Sequence, residues 1–247
     1  MRISKRNVDI NSVQNWFDYA GPKQGLQQWV DGRSAKELAK LFLKSGTPAE
    51  PPEIKRLLRS SDFLGEVCLI EGWPEHKIRL DSFRGETRNA DMAALGVGRM
   101  LPVAVTIEAK ADESFGRTIG EVLARASTKS NLPGRITGLV DSVLNKPLGD
   151  THSLRYQLLH AVSATLIFAR EQNASAAVFI VFEFQGSSCT ASKLAQNAAD
   201  LTAFINALAP SAPPLREGEL LGPFYVPGGD HVPSNIPLFL GKAIRKC

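Results

Sequence analysis

The run Ala176-Ala-Val-Phe-Ile-Val-Phe-Glu-Phe184 is apolar at every position but Glu183. A strand of that composition has no face left for water, so it predicts a strand covered on both sides by further layers of structure. Ahead of it, Leu154, Leu158, Val162, Thr165, Leu166 and Ala169 recur at spacings of three and four, the signature of a helix starting near Thr151 or Ser153. Gln172-Asn173 joins the two elements. A helix feeding directly into a fully buried strand is an α/β crossover, which rules out an all-helical bundle and a simple sandwich.

A second apolar run, Pro102-Val-Ala-Val-Thr-Ile107, ends in Glu108-Ala109-Lys110-Ala-Asp112-Glu113. Its β-branched residues suit a strand, and the period of two places Glu108 and Lys110 on one face. Seventeen positions upstream, Asp91 lies in Arg88-Asn89-Ala90-Asp91-Met92, a segment expected to run as a strand beside the first.

Around these runs the chain divides into three stretches. Over 1–60 a helical extension is expected. Its first thirty or so residues read as irregular, despite Trp16, Phe17, Tyr19 and Trp29. A capping box at Ser34-Ala-Lys-Glu37 then starts a helix that ends at Gly46, and a short helix carries Ile54, Leu57 and Leu58. Over 61–185 lies the core: a strand from Phe63 to Ile70, a break at Gly72-Trp73-Pro74, a further extended segment at Lys77–Asp81, the two strands holding Asp91 and Glu108, and a helix over Thr118–Ala126. Asn131-Leu-Pro-Gly134 reads as a turn, with a loop or short helix to Gly149, before the crossover helix and buried strand. Over 186–247 come an amphipathic helix from Ser192 to Leu208, a Pro/Gly-rich stretch and a last strand at Ile236–Leu240. The expected architecture is one α/β domain over 1–247, with a mixed four-to-five-stranded sheet flanked by helices.

Composition narrows the function classes. The formal net charge of +4 permits a polyanionic partner without requiring one. No block of five or six like charges occurs, so a phosphate-binding surface would be assembled by folding from residues such as Arg84, Arg88, Arg117, Arg125, Lys129, Arg135 and Arg155. Cys68, Cys189 and Cys247 are odd in number and widely spaced, which argues for reduced thiols rather than a disulfide framework. No apolar run reaches the roughly 20 residues of a membrane span and the start lacks a signal peptide's apolar segment, so a cytoplasmic protein without membrane contact is expected. His76, His152, His160 and His231 do not fall at metal-ligand spacings, and His160, inside the apolar helix, reads as a satisfied structural histidine. Gly96-Val-Gly98 reads as a hairpin turn rather than a phosphate loop.

By residue type alone, Glu108 and Lys110 read as a salt-bridged strand end worth roughly 0 to 1 kcal/mol. Their context resembles something more specific. Asp91 followed by Glu108-Ala109-Lys110, with a helix and a buried strand after them, is similar to the core of the PD-(D/E)XK nuclease superfamily, which includes many restriction endonucleases. The likeness spans about Phe63 to Phe184. The Asp31-Gly-Arg-Ser-Ala-Lys-Glu37 and Glu108–Gly116 segments also resemble those of small uncharacterised bacterial proteins.

The resemblance implies a restriction endonuclease-like αβββαβ core. It also implies Mg²⁺, with Mn²⁺ as an alternative, held by Asp91, Glu108 and the carbonyl of Ala109, and Lys110 activating a water for hydrolysis of a phosphodiester, with DNA the expected substrate. Hard oxygen donors suit such an ion. Gln157 resembles a glutamine that some members carry after the motif, and plain solvent-facing polarity is its alternative reading. An upstream glutamate often joins the site, leaving Glu37, Glu53 and Glu66 as candidates. Asp112 and Glu113 would hold an outer-sphere water or cap a helix starting near Ser114. Ala90 stands where the motif often has proline. Many double-strand cutters of this fold pair two sites, so a homodimer stays open. The competing expectation is a catalytically inactive nuclease-like fold serving as a nucleic-acid-binding or protein-interaction module.

Overall fold

A computed structural model describes residues 1–43, 46–83, 87–99, 101–186 and 189–246. Arg84 and Cys247 therefore lie outside the described residues. Among those described, eight strands form one mixed sheet: β1 (Arg2–Lys5), β2 (Val8–Asp9), β3 (Cys68–Ile78), β4 (Arg88–Gly98), β5 (Leu101–Lys110), β6 (Ala176–Gln185), β7 (Leu220–Phe224) and β8 (Leu238–Lys246). Their order is β2-β1-β3-β4-β5-β6-β8-β7. The β3–β4 and β4–β5 pairs are antiparallel, whereas β5, β6 and β8 run parallel.

Seven α-helices flank this sheet: α1 (Val13–Ala20), α2 (Ser34–Leu43), α3 (Pro52–Arg59), α4 (Ile119–Ala124), α5 (Leu132–Val143), α6 (Tyr156–Glu171) and α7 (Ala191–Leu208). Strand β6 explains why two layers are needed. Its Val178, Ile180 and Phe182 pack with Leu38, Phe42, Leu57 and Leu58 of α2 and α3, while Phe179 and Val181 pack with Leu158, Val162 and Phe204 of α6 and α7. The period of two divides one continuous apolar strand between two cores.

The sheet is larger than the four to five strands expected, for identifiable reasons. The first nine residues, expected to be irregular, form β1 and β2, and β1 pairs parallel with β3 through Arg2–Glu71 and Ile3–Gly72. The anticipated break at Gly72-Trp73-Pro74 lies inside a continuous β3. Pro74 falls just past the β1 pairing, where β3 is an edge and a missing N–H costs no ladder bond. Lys5 Nζ donates to the Pro74 and Glu75 carbonyls at 2.7 and 2.6 Å. The last strand is longer than Ile236–Leu240 and inserts between β6 and the unforeseen β7. Gly96 and Gly98 are strand residues rather than the hairpin turn, which falls after Gly98. A Cβ on Gly98 would stand 2.6 Å from the Leu64 carbonyl, so the glycine permits a close approach.

Several helix boundaries also differ. Ser34 is already the first residue of α2, and Glu37 accepts the Gly32 amide at 2.8 Å instead of completing the expected box. Asn131–Gly134 opens α5 rather than a turn, because Pro133 sits in its first turn, where proline needs no partner for a missing N–H. The crossover helix starts at Tyr156, after a 3₁₀ turn over Leu148–Thr151. The helix expected near Ser114 begins at Ile119, capped by Thr118 in a full capping box with Glu121. No helix among the described residues is long and apolar enough to cross a membrane.

Candidate functional site

Antiparallel pairing runs up to Met92 of β4 opposite Ile107 of β5, and Asp91 and Glu108 lie just beyond that last pair. The Asp91 carboxylate accepts the Ala109 amide through Oδ2 at 2.8 Å. Lys110, two residues on from Glu108, donates from Nζ to Glu108 Oε1 at 2.8 Å. Helix α6 runs back along β5, tied to it by the paired hydroxyls of Thr106 and Thr165. That packing brings the start of α6 over the end of β5, where Gln157 Nε2 donates to Glu108 Oε1 at 2.6 Å. The helix N-terminus favours a negative charge there. All four expected side chains, Asp91, Glu108, Lys110 and Gln157, are thus brought together with Ala109.

Arg88 completes the cluster. Named in the sequence only as one of several scattered cations, it donates from Nη2 to Glu108 Oε2 and is largely buried. Arg135 and Arg155 are tied instead to Asp81 and Asp200. Asp112 pairs with Arg33 at 3.1 Å, and Glu113 accepts the Ala111 amide at 3.2 Å.

Charge divides the two central carboxylates. Burial pushes Glu108 upward, but the nearby Arg88 and Lys110 charges outweigh it and bring its pKa down to about 2. For Asp91, burial and then the charges of Glu108 and Glu75 act in the same direction, lifting it well above the ordinary aspartate value. Burial lowers Lys110, yet Glu108 and Asp91 more than offset this and hold it as an ammonium. One carboxylate is therefore firmly ionised, and its neighbour carries negative charge only at a cost.

A cleft of about 660 Å³ opens beside them, with Glu75, Arg88, Asn89, Asp91, Gln157 and His160 in its wall. A smaller one of about 230 Å³ shares Glu75 and Asp91 and adds Glu113. None of the candidate upstream glutamates reaches either. Glu37 binds Gly32 and Lys40, Glu53 makes a two-pronged pair with Arg245, and Glu66 pairs with Arg59. Glu75 lines both clefts instead. It was hidden in the sequence by the Gly72-Trp73-Pro74 segment, and burial raises its pKa. His160 departs from the satisfied histidine expected: its Nδ1 is buried without a hydrogen-bond partner, and burial with the Arg88 charge holds the ring well below the usual histidine range.

The donor set fits a hard divalent cation in its chemistry, since two carboxylates meet in one place and Asp91 is short of positive charge. As they stand, no three His, Cys, Asp or Glu side chains among the described residues converge to hold a metal ion. Both Glu108 oxygens already have partners, Arg88 on one and Lys110 with Gln157 on the other.

Residues 9–247 match the family described as "Domain of unknown function (DUF6946)", and the chain belongs to that family. No curated protein and no solved structure matches it.

Proposed function

We propose that this member of the DUF6946 family is a metal-dependent phosphodiester hydrolase, a nuclease of the PD-(D/E)XK type acting on nucleic acid, with DNA its expected substrate. The observation that carries this reading is the meeting of Asp91, Glu108, Lys110 and Gln157 at one end of β4 and β5, beside an open cleft. In the same reading a preceding helix, β3, β4, β5, α6 and β6 form the αβββαβ core of a single nuclease-like domain over 1–247, in a cytoplasmic protein.

Asp91, Glu108 and the Ala109 carbonyl would hold Mg²⁺ or Mn²⁺. The chemistry supplied there would be Lewis-acid activation of water and compensation of charge growing on the phosphate. Lys110, held protonated by Glu108 and Asp91, orients that water and neutralises developing negative charge rather than serving as a free base. Gln157 fixes the Oε1 side of Glu108. Arg135, paired with Asp81, and Lys23 stand in the cleft wall that a phosphodiester backbone would approach.

One observation favours a second reading, a nuclease-like fold that binds without cutting: both Glu108 oxygens already have internal partners. Incubation of the purified protein with plasmid, single-stranded DNA and RNA, in Mg²⁺, Mn²⁺ or EDTA, separates the two. Hydrolysis is expected with metal, absent in EDTA, and lost in Glu108→Ala and Lys110→Ala. Cleavage that persists in both variants overturns the assignment, and nucleic-acid binding without cleavage selects the second reading.

A further inference from the structure

We propose that Arg88 is a built-in occupant of the cation site, a guanidinium that neutralises Glu108 in the metal-free chain and is displaced from Oε2 when a divalent ion binds between Asp91 and Glu108. This inference rests on the metal-site reading above and adds the residue that competes for the site.

A carboxylate oxygen accepts about two hydrogen bonds. Glu108 Oε1 accepts Lys110 Nζ at 2.8 Å and Gln157 Nε2 at 2.6 Å, so it is filled. Oε2 carries only the bond from Arg88 Nη2, so a cation approaching this oxygen meets the guanidinium charge rather than a filled acceptor. On the facing carboxylate, Asp91 commits Oδ2 to the Ala109 amide, while Oδ1 makes no hydrogen bond among the described residues. A divalent ion held by the Asp91 and Glu108 carboxylates would therefore compete with the Arg88 charge.

Arg88 is held in a way that allows release. Its guanidinium is anchored through Nη2, whereas its Nε is buried without an acceptor. An unmet buried donor of a charged group weakens the native arrangement, because it has lost water and gained nothing in return. Arg88 also lines the cleft of about 660 Å³, which offers room for a displaced side chain. Lys110 differs on both counts: it is almost wholly buried and lies over the Phe115 ring at 5.3 Å.

Isothermal titration of the full chain with MnCl₂ alone, and separately MgCl₂ alone, tests this without reference to activity. Arg88→Gln is expected to bind Mn²⁺ at least about tenfold more tightly than the unaltered protein, since the competing charge is gone. The gain should vanish in the double variant Arg88→Gln, Glu108→Gln. If Arg88→Gln does not fold, Arg88→Lys serves, with a gain of a few-fold, because one compact ammonium replaces the planar fork. Metal binding by the unaltered protein with equal or weaker binding by the Arg88 variant overturns this inference and leaves the metal site standing. Binding by neither overturns both.

Discussion

Two glutamates on neighbouring strands make the useful comparison. Glu108 of β5 and Glu183 of β6 are equally buried, each at 2 % exposure, and each is paired with a lysine: Lys110 at 2.8 Å and Lys242 at 2.9 Å. The ladder even sets Lys110 directly opposite Glu183. What separates them is the company beyond the lysine. Glu183 answers one cation and, at 3.5 Å, the Gln185 amide, and has no second carboxylate from a cleft wall beside it. Glu108 answers two cations and an amide and faces a second carboxylate, Asp91, which itself lines the clefts. A buried ion pair is by itself a structural device, and one of uncertain net benefit. A strained neighbour such as Asp91, together with access, is what makes a pair a candidate site.

The largest break in that comparison should come from Glu108→Ala. Removing one partner of a buried charge cluster strands Arg88 and Lys110, and a loss of about 3 to 5 kcal/mol is expected in urea denaturation. Asp91→Asn should do the opposite in metal-free protein. It keeps an oxygen for the Ala109 amide but removes a charge opposed by burial, Glu108 and Glu75, so at pH 8 a gain of about 1 kcal/mol or more is expected, read as a Tm rise of a few degrees, with metal binding lost. Gln157→Ala should be milder, about 1 to 2 kcal/mol, since a neutral donor to a carboxylate is lost while both cations remain.

The pH dependence sharpens the contrast between the two carboxylates. Glu108 has its folded pKa depressed from 4.5 to about 2, so its stabilisation is present above 4.5 and is lost as pH falls toward 2, a contribution of about 3 kcal/mol. Asp91 has its folded pKa raised, so its contribution is fully present below 3.8 and is lost as pH rises through the folded value. Stability profiles of Asp91→Asn and Glu108→Gln should therefore flatten on opposite sides, Asp91→Asn on the alkaline side and Glu108→Gln on the acid side. Profiles that change on the same side would contradict the assigned charge states.

How much of this was legible in the sequence follows from range. Glu108, Lys110 and the pairing of the Asp91 segment with theirs were readable because an apolar run of period two ends in charges. Gln157 was readable through a family resemblance, and its contact with Glu108 needs the crossover that packs α6 along β5. Glu75 was hidden behind Gly72-Trp73-Pro74, where local breaker signals outweigh a strand held in place by Lys5 and β4, seventy residues before it and about fifteen after it. Arg88 looked like a surface charge because nothing local shows that its partner is Glu108, twenty residues on. Strands β1, β7 and the full length of β8 escaped for the same reason, being defined by partners distant in the chain.

The central claim, that the Glu108 cluster is chemical and the Glu183 pair structural, is tested most directly by one matched assay. Glu108→Gln and Glu183→Gln, which change each buried carboxylate to an amide of the same shape, are compared for Mn²⁺-dependent cleavage of single-stranded and plasmid DNA. Cleavage is expected to be abolished in Glu108→Gln and retained in Glu183→Gln. Equal activity in the two variants, or loss in Glu183→Gln alone, would contradict it.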